Sequence, residues 1–361
     1  MKTDVKQSFY YGKKLQIQIF GASHDKEIGV EIVGLKGQPI DLGYIQNFVD
    51  RRRAKNTAYS TKRLEQDTVI IEKGVKKDKV TGKIRAVIKN NCQNSKDYSN
   101  LIKTPRPSHA DFVAYSKYGN TFDYRGGGKF SGRLTAPMCI AGGICKKLLE
   151  EKGITINAYI SQIGSVLGAS YKDTDISKID LNNLDKDFPL LDDSKKEQMM
   201  QAIENARQDL NSVGGVVECV IKGVPVGAGE YMFDSLESVI SHLAFAVPAV
   251  KGIEFGSGFN MASMLGSEAN DSFYYDGAVV KTKTNHNGGI NGGMANGMEI
   301  TFRVVIKPTP SIAKEQDTVD LTAKENVKLK IEGRHDACIT PRAVPVIEAI
   351  SAIAIYDSLD L

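Results

Sequence analysis

Two runs, Val69-Ile70-Ile71-Glu72-Lys73 and Lys83-Ile84-Arg85-Ala86-Val87-Ile88-Lys89, decide the fold class. Both are rich in β-branched residues and read as strands. No helix stands between them. Strands in direct succession exclude a uniform βαβ series, so this is a mixed α/β chain and not a doubly wound parallel one. Outward from this pair the elements alternate in type. Residues 15–20 read as a strand ending in a glycine turn at Gly21. Asp41 caps a helix running to Arg53, with Ile45, Phe48 and Val49 on one face. Residues 135–152 read as a buried helix stopped by Gly153. Residues 154–166 are strand-like. Ser194 and Glu197 form a capping box that opens a helix to Leu210. Residues 216–222 are a strand. Asp234 with Glu237 opens the next helix, with Leu236, Ile240, Leu243, Ala244 and Val247 on one stripe and His242 solvated on the far side. Residues 298–306 and 327–331 are strands, and Pro341 starts a last helix reaching about Tyr356. Residues 172–196 read as a surface excursion.

Composition bounds the function classes. A chain of 361 residues buries a sizeable core without disulfides or metal. With 41% hydrophobic and 25% charged residues it is neither disordered, nor a coiled coil, nor collagen-like. The formal charge of +4 suits a small anionic substrate and is too weak to imply nucleic acid. Its five cysteines are odd in number and lack a C-x-x-C pair, which excludes a disulfide framework and a zinc site. Cys139, Cys145 and Cys219 sit among apolar residues and read as small core hydrophobes. No apolar tract approaches the ~20 residues that span a bilayer. The expectation is a cytoplasmic protein with no membrane partner. No repeat shows at a period of 20–50 residues.

The glycines are clustered. Six of the 34 fall at positions 126, 127, 128, 132, 142 and 143, and five more at 288, 289, 292, 293 and 297. Glycine permits φ > 0 and close approach of backbone to a ligand. Neither cluster matches the dinucleotide or P-loop pattern. Ligand binding and tight turns both account for them. Four of five histidines, His24, His109, His286 and His335, lie in polar, turn-rich segments, three of them close to Asp or Arg. Imidazole is both acid and base near neutrality. Without H-E-x-x-H or G-x-S-x-G, the chemistry implied is proton transfer to or from an anion. Cations stand near the same segments: Arg51, Arg52 and Arg53 at a helix end, then Arg106, Arg125, Arg133, Arg334 and Arg342. A solvated helix end and a clamp for phosphate or carboxylate are both open for the triplet.

Taken together and in order, these segments resemble the chorismate synthase family. The resemblance rests on Gly21-Ala22-Ser23-His24, then on Arg106-Pro107-Ser108-His109-Ala110-Asp111 with Lys117-Tyr118-Gly119 and Asp123-Tyr124-Arg125-Gly126-Gly127-Gly128. It continues through residues 288–297, Lys307-Pro308-Thr309-Pro310-Ser311, Gly333-Arg334-His335-Asp336 and Arg342-Ala343-Val344-Pro345. Several positions depart from the family pattern. Ala22 and Asp25 stand for Glu and Gly, Ala54-Lys55 for Pro-Gly, Lys129 to Leu134 for R-S-S-A-R-E, and Pro248 for a polar residue.

The resemblance implies one large domain over residues 1–361, a β-α-β sandwich with internal pseudo-symmetry, assembled as a homotetramer. It implies an anti 1,4-elimination of phosphate from 5-enolpyruvylshikimate 3-phosphate to give chorismate, with reduced FMN and no net redox change. His24 would protonate the departing phosphate. His109 would protonate the flavin, and Asp336 would help take the proton from its central-ring nitrogen. FMN contacts would fall on Lys129, Phe130, Ser131, Pro248, Ala249, Gly292, Lys307, Pro308, Thr309, Pro310, Ser311 and Arg334. Arg52 matches an arginine assigned to NADP, so NADPH is a second cofactor in question, and Ala58 occupies the other such position. Arg51, Arg53, Arg106, Arg125, Arg133 and Arg342 are the candidates for the substrate's anions. A non-catalytic polyanion-binding module and a flavin reductase are the competing readings.

Overall fold

The strand pair centred on residues 69–89 is an antiparallel hairpin, and the first sheet grows from it. The computed structural model describes residues 8–54, 66–90, 103–121, 123–185, 187–331 and 336–359. The first sheet contains β1 (Phe9–Tyr11), β2 (Gln16–Phe20), β3 (Glu27–Val33), β4 (Ile70–Lys76) and β5 (Lys79–Lys89). Its order is β1-β2-β3-β5-β4, every pair antiparallel. Helix α1 (Leu42–Arg52) stands between β3 and β4, and α2 (Asp111–Tyr118) and α3 (Thr135–Glu150) follow β5. The second sheet contains β6 (Thr155–Ile163), β7 (Val166–Leu167), β8 (Gly215–Lys222), β9 (Val250–Phe255) and β14 (Ile300–Ile306), in the order β7-β6-β8-β14-β9, again antiparallel. Helix α4 (Lys196–Gln208) precedes β8, and α5 (Leu236–Ala246) precedes β9. Between β9 and β14 come the short α6 (Gly266–Ala269) and the hairpins β10 (Phe273–Asp276)–β11 (Val279–Thr282) and β12 (Ile290–Asn291)–β13 (Met294–Ala295). The hairpin β15 (Gln316–Asp320)–β16 (Glu325–Leu329) and the long α7 (Thr340–Ser358) complete the chain.

The internal symmetry is visible in the topology. In the first half the chain runs β2, β3, α1, β4, β5, α3; in the second it runs β6, β8, α5, β9, β14, α7. The strand orders correspond, β2-β3-β5-β4 against β6-β8-β14-β9. This repeat is far longer than 50 residues and is interrupted by α4 and by the hairpins before β14, so no short period records it. Helices fill the space between the sheets. α3 packs on the first sheet, α7 and α5 on the second, and α3 and α7 on each other. Gly142 of α3 lets that helix come close to Ala349 of α7, where a side chain would strike backbone. One buried cluster runs from Ile28 and Ile84 in the first sheet through Ile140 and Ile350 to Val217 and Phe302 in the second. α7 is buried nearly all round, which explains its continuous apolar sequence. The four described cysteines are buried thiols, and burial pushes Cys139 and Cys219 up to about 12, so they act as core hydrophobes.

Two helix starts differ from the sequence expectation. Ser194 does not cap α4. The Asp192 carboxylate accepts from Ser194 N at 3.0 Å and opens a 3-10 turn that leads into the helix. Ser194 Oγ donates back to Asp192, so the hydroxyl is spent inside the turn. At α5 the cap is Ser235, whose Oγ accepts from Ser238 N at 3.1 Å, while Asp234 lies in the preceding turn. Both stretches offer adjacent cap-type residues, and the turn before the helix selects among them. The segment 172–196 is more than an excursion. Leu181, Phe188 and Leu190 are buried. Glu218 of β8, fully buried, accepts from Tyr159 OH and Ser170 Oγ, both at 2.7 Å, and from Tyr171 N at 3.0 Å, which pins the start of this cover onto the sheet. His242 is exposed, its ring edge-on to Tyr10 at 5.8 Å.

Candidate active site

Segments scattered along the chain converge on one cavity of about 650 Å³. They are the end of α1, the loop before α2, the loop before α3, the turn after α5, the segment after β14 and the start of α7. Among the described residues lining it, seven are cations: Arg52, Arg53, Arg106, Lys129, Arg133, Lys307 and Arg342. Among the same residues only Asp67 and Asp336 are carboxylates. The N-termini of α3 and α7 also open on it, adding the positive ends of two helix dipoles. The cavity is built for a polyanion.

His109 is held in a dense polar cluster. Its Nδ1 lies 2.6 Å from Asp111 Oδ1. Asp111 also accepts from Arg106 Nε at 2.7 Å, Arg106 Nη2 at 2.9 Å and Arg106 N at 3.1 Å. Arg106 Nη1 reaches on to Ser311 Oγ at 3.0 Å. Burial alone would raise the Asp111 carboxyl, but hydrogen bonds from Arg106 and His109 outweigh it and hold the group well below its usual range. An ionised carboxylate only accepts, so Nδ1 of His109 carries a proton.

The triple glycine lies against both candidate acids. Gly126, Gly127 and Gly128 all have positive φ, at 58°, 84° and 54°. A Cβ on Gly126 would stand 2.6 Å from Cδ2 of His24 and 2.7 Å from its Nε2. A Cβ on Gly127 would stand 3.3 Å from Nε2 of His109. Gly126 therefore passes against His24 and Gly127 against His109, in a backbone conformation that side chains resist. His24 is buried at 3% exposure, behind the cavity wall formed by Ser23 and Gly126.

Three arginines are braced at one side of the cavity. Arg52 donates from Nε to Thr135 Oγ1 at 2.8 Å and from Nη2 to Gly132 O at 2.7 Å, and its Nη1 lies 3.5 Å from Asp67. Burial and then the neighbouring Arg342 pull the Arg52 guanidinium down to about 10, which still leaves it charged at neutral pH. Arg133 reaches Asp67 at 2.5 Å and Asn90 at 3.0 Å. Arg342 pairs with Asp336 and donates from Nε to Arg52 O at 3.2 Å. Arg53 lines the cavity and also reaches Asp50 at 3.1 Å.

The lining is also apolar in part, at Phe245, Ala246, Val247, Pro248, Ala249, Ile339 and Val346. The same lining holds Lys129, Phe130, Ser131, Lys307, Thr309, Pro310 and Ser311. An apolar face next to hydroxyls and ammonium groups fits a planar ring system carrying a phosphate tail. Two non-glycine residues are strained here. Ala249 has φ 76° and Ser108 φ 57°, and Lys307 ties both, through its N to Ala249 O at 2.9 Å and its Nζ to Ser108 O at 2.6 Å. Burial, with Lys251 nearby, lowers the Lys307 ammonium from its usual value.

Other expected residues are placed elsewhere. Arg51 is not in the cavity lining. It forms a two-point pair with Glu348 of α7, both distances 2.7 Å, and Glu348 is 2% exposed. This is a core ion pair, because the helix turn aims residue 51 inward where 52 and 53 face the cavity. Arg125 turns back onto its neighbour Asp123, at 2.9 and 2.8 Å, and is also outside the lining. Gly292 lies in the turn of the β12–β13 hairpin, away from the cavity lining. Pro308 packs its ring toward Gly214 while the residues on either side face the cavity. Arg334, with His335, Ala58 and Cys92, lies outside the described residues. Sequence reasoning gave no role to Asp67, Asp111 or Phe245. The H-x-D spacing of His109 and Asp111 is the signal for one of them; Asp67 and Phe245 carry none.

Comparison with known proteins agrees with this geometry. The chorismate synthase family model matches residues 15–359. A chorismate synthase of Dehalococcoides mccartyi is 42% identical over 348 residues, covering 96% of this chain and 95% of that one. One of Korarchaeum cryptofilum is 40% identical over 353 residues, covering 97% and 96%. A crystal structure of chorismate synthase superposes with a TM-score of 0.73 at 26% identity, covering 97% of this chain and 92% of that one.

Proposed function

The chain belongs to the chorismate synthase family, and from that premise we propose how its cavity performs the reaction. The protein is a carbon–oxygen lyase of the shikimate pathway, which leads to the aromatic amino acids. It removes phosphate and a hydrogen from carbon 6 of 5-enolpyruvylshikimate 3-phosphate in an anti 1,4-elimination, giving chorismate. The observation that carries this reading is the set of seven cations that line one cavity. The substrate bears a phosphate and two carboxylates, and such a cavity holds it in place and offsets the charge that leaves with the phosphate.

Arg53, Arg106, Arg133 and Arg342 are the arginines we assign to substrate anions, while the Arg52 guanidinium is spent on Thr135, Gly132 and Asp67 and its carbonyl accepts from Arg342. His24 is the acid we assign to the departing phosphate, an anion that leaves more readily when protonated; its ring stands behind Ser23 and Gly126, so the phosphate would meet it at that point of the wall. His109, with Nδ1 bonded to Asp111, would pass a proton to the cofactor from Nε2 when both ring nitrogens carry one, and Asp336 is the carboxylate of the lining that would accept one. The flavin family cofactor fits the residues present. Its ring would lie on the apolar part of the lining, and its tail on Lys129, Ser131, Lys307, Thr309 and Ser311. Reduced FMN, when bound, supplies electron density transiently and recovers it, so the reaction needs a reduced cofactor without net redox change. NADPH is less well served, because the guanidinium of Arg52 already donates to Thr135, Gly132 and Asp67.

Residues 1–361 are read as one domain, and the homotetramer as its working form. Phe233, Phe259, Tyr275 and Met232 are 91%, 84%, 78% and 73% exposed, apolar side chains that subunit contacts would cover. No helix among the described residues is long and apolar enough to cross a membrane, and the free buried thiols suit a cytoplasmic setting. The test is anaerobic turnover. Dithionite-reduced FMN is expected to support phosphate release from the substrate, and oxidised FMN is not. No release with reduced FMN overturns the reading.

A further inference from the structure

Asp111 does not line the cavity, yet it holds two residues that do, His109 and Arg106. It is 4% exposed at the start of α2. We propose that Asp111 is a positioning residue that fixes the His109 proton on Nδ1, turns Nε2 to the cavity and sets a negative charge beside the ring opposite the positive charge of Arg106. The proposal rests on the reading of His109 as an acid.

The argument is one of donors and charge. The carboxylate takes three hydrogen bonds from Arg106 and one from His109, so none of its lone pairs faces an apolar surface. Its bond to Nδ1, at 2.6 Å, fixes the ring plane. That leaves Nε2 beside Gly127, where an added Cβ would stand 3.3 Å from it. The Arg106 guanidinium is 3.1 Å from the same Nδ1. A cation at that distance opposes a charged imidazole. Lys307, from the segment after β14, donates to the Ser108 carbonyl one residue away, and Lys129 and Arg133 line the same cavity. Asp67 and Asp336 line the cavity as well, but Asp67 is paired with Arg133 and Asp336 with Arg342, and Asp111 is the carboxylate in hydrogen-bond contact with the His109 ring. Its second oxygen also keys Arg106, whose other arm goes to Ser311, so one side chain sets both the acid and an anion clamp.

The test reads the ring itself as well as turnover. With only five histidines, labelling with carbon-13 and nitrogen-15 gives a tractable spectrum, and His109→Gln identifies the signal. In the unmodified protein, neutral His109 is expected to carry its proton on Nδ1. In Asp111→Asn the imidazolium signal disappears at lower pH than in the parent. The alkaline limb of the kcat profile moves to lower pH with it, and kcat at neutral pH falls about 100-fold, a typical contribution of a positioned acid. Asp111→Glu restores most of the profile. The Nε2-protonated tautomer in the unmodified protein overturns the proposal, and so does an Asp111→Asn protein whose ring titration and pH profile match the parent. The tautomer measurement stands even where the variant does not fold. Absence of phosphate release from every protein, parent included, overturns the assigned reaction instead, while the ring measurement still decides the role of Asp111.

Discussion

Glycines 126 to 128 show how a single side-chain atom is excluded at the site. All three have a backbone conformation that side chains resist, and Gly126 lies against His24 and Gly127 against His109. Gly126→Ala is therefore expected to displace His24. The helix and strand signal of circular dichroism should persist, while turnover falls at least about 10-fold and stability by about 1–2 kcal/mol. Parental kcat in the Gly126→Ala variant would show that His24 tolerates movement and is not the acid. The glycine cluster is prominent in the sequence, where it fits ligand loops and turns equally. Only the two imidazoles beside them decide between these. Arg51 to Arg53 teach the opposite lesson. Three identical side chains in a row diverge into a core ion pair, a buried brace and a cavity cation, according to where the helix turn points each. Nothing in residue type separates them.

At the scale of elements, α5 carries the turn Val247-Pro248-Ala249 into the cavity wall, so its start and end are both of consequence. The cap is Ser235 and not its neighbour Asp234. Ser235→Ala is expected to cost about 1 kcal/mol in urea denaturation, and Asp234→Ala less than about 0.5 kcal/mol. The reverse order would restore the sequence-based assignment. Most elements were legible because their periodicity is strong: the strands around 69–89, the buried helix from Thr135 and the last helix from Pro341 all appear within a few residues of expectation. The caps were not, because both starts offer several competing Asp and Ser residues. The cover of residues 172–196 misled for a related reason. Its many charges face water, and its few apolar residues and the hydrogen bonds to Glu218 bind it to the second sheet.

At the scale of the molecule, the two sheets share one core through α3 and α7. Cooperativity should follow from that continuity. A calorimetric scan of the protein without cofactor is expected to give one transition, and two resolved transitions would divide the chain into domains. What the sequence determined by itself was local and chemical. Periodicity gave the type of most long elements, though not the strands at Glu27–Val33 and Val250–Phe255, and ordered motifs pointed to the family and to His24, His109 and Asp336 as candidates. The tertiary structure decided what depends on residues far apart in the chain. It paired two halves with matching strand order, sent Arg51 to Glu348 across 297 positions, and brought Asp67, Phe245 and Lys307 to one cavity. The physical reason is that side-chain identity sets which interactions are available. Distance and burial set which of them form.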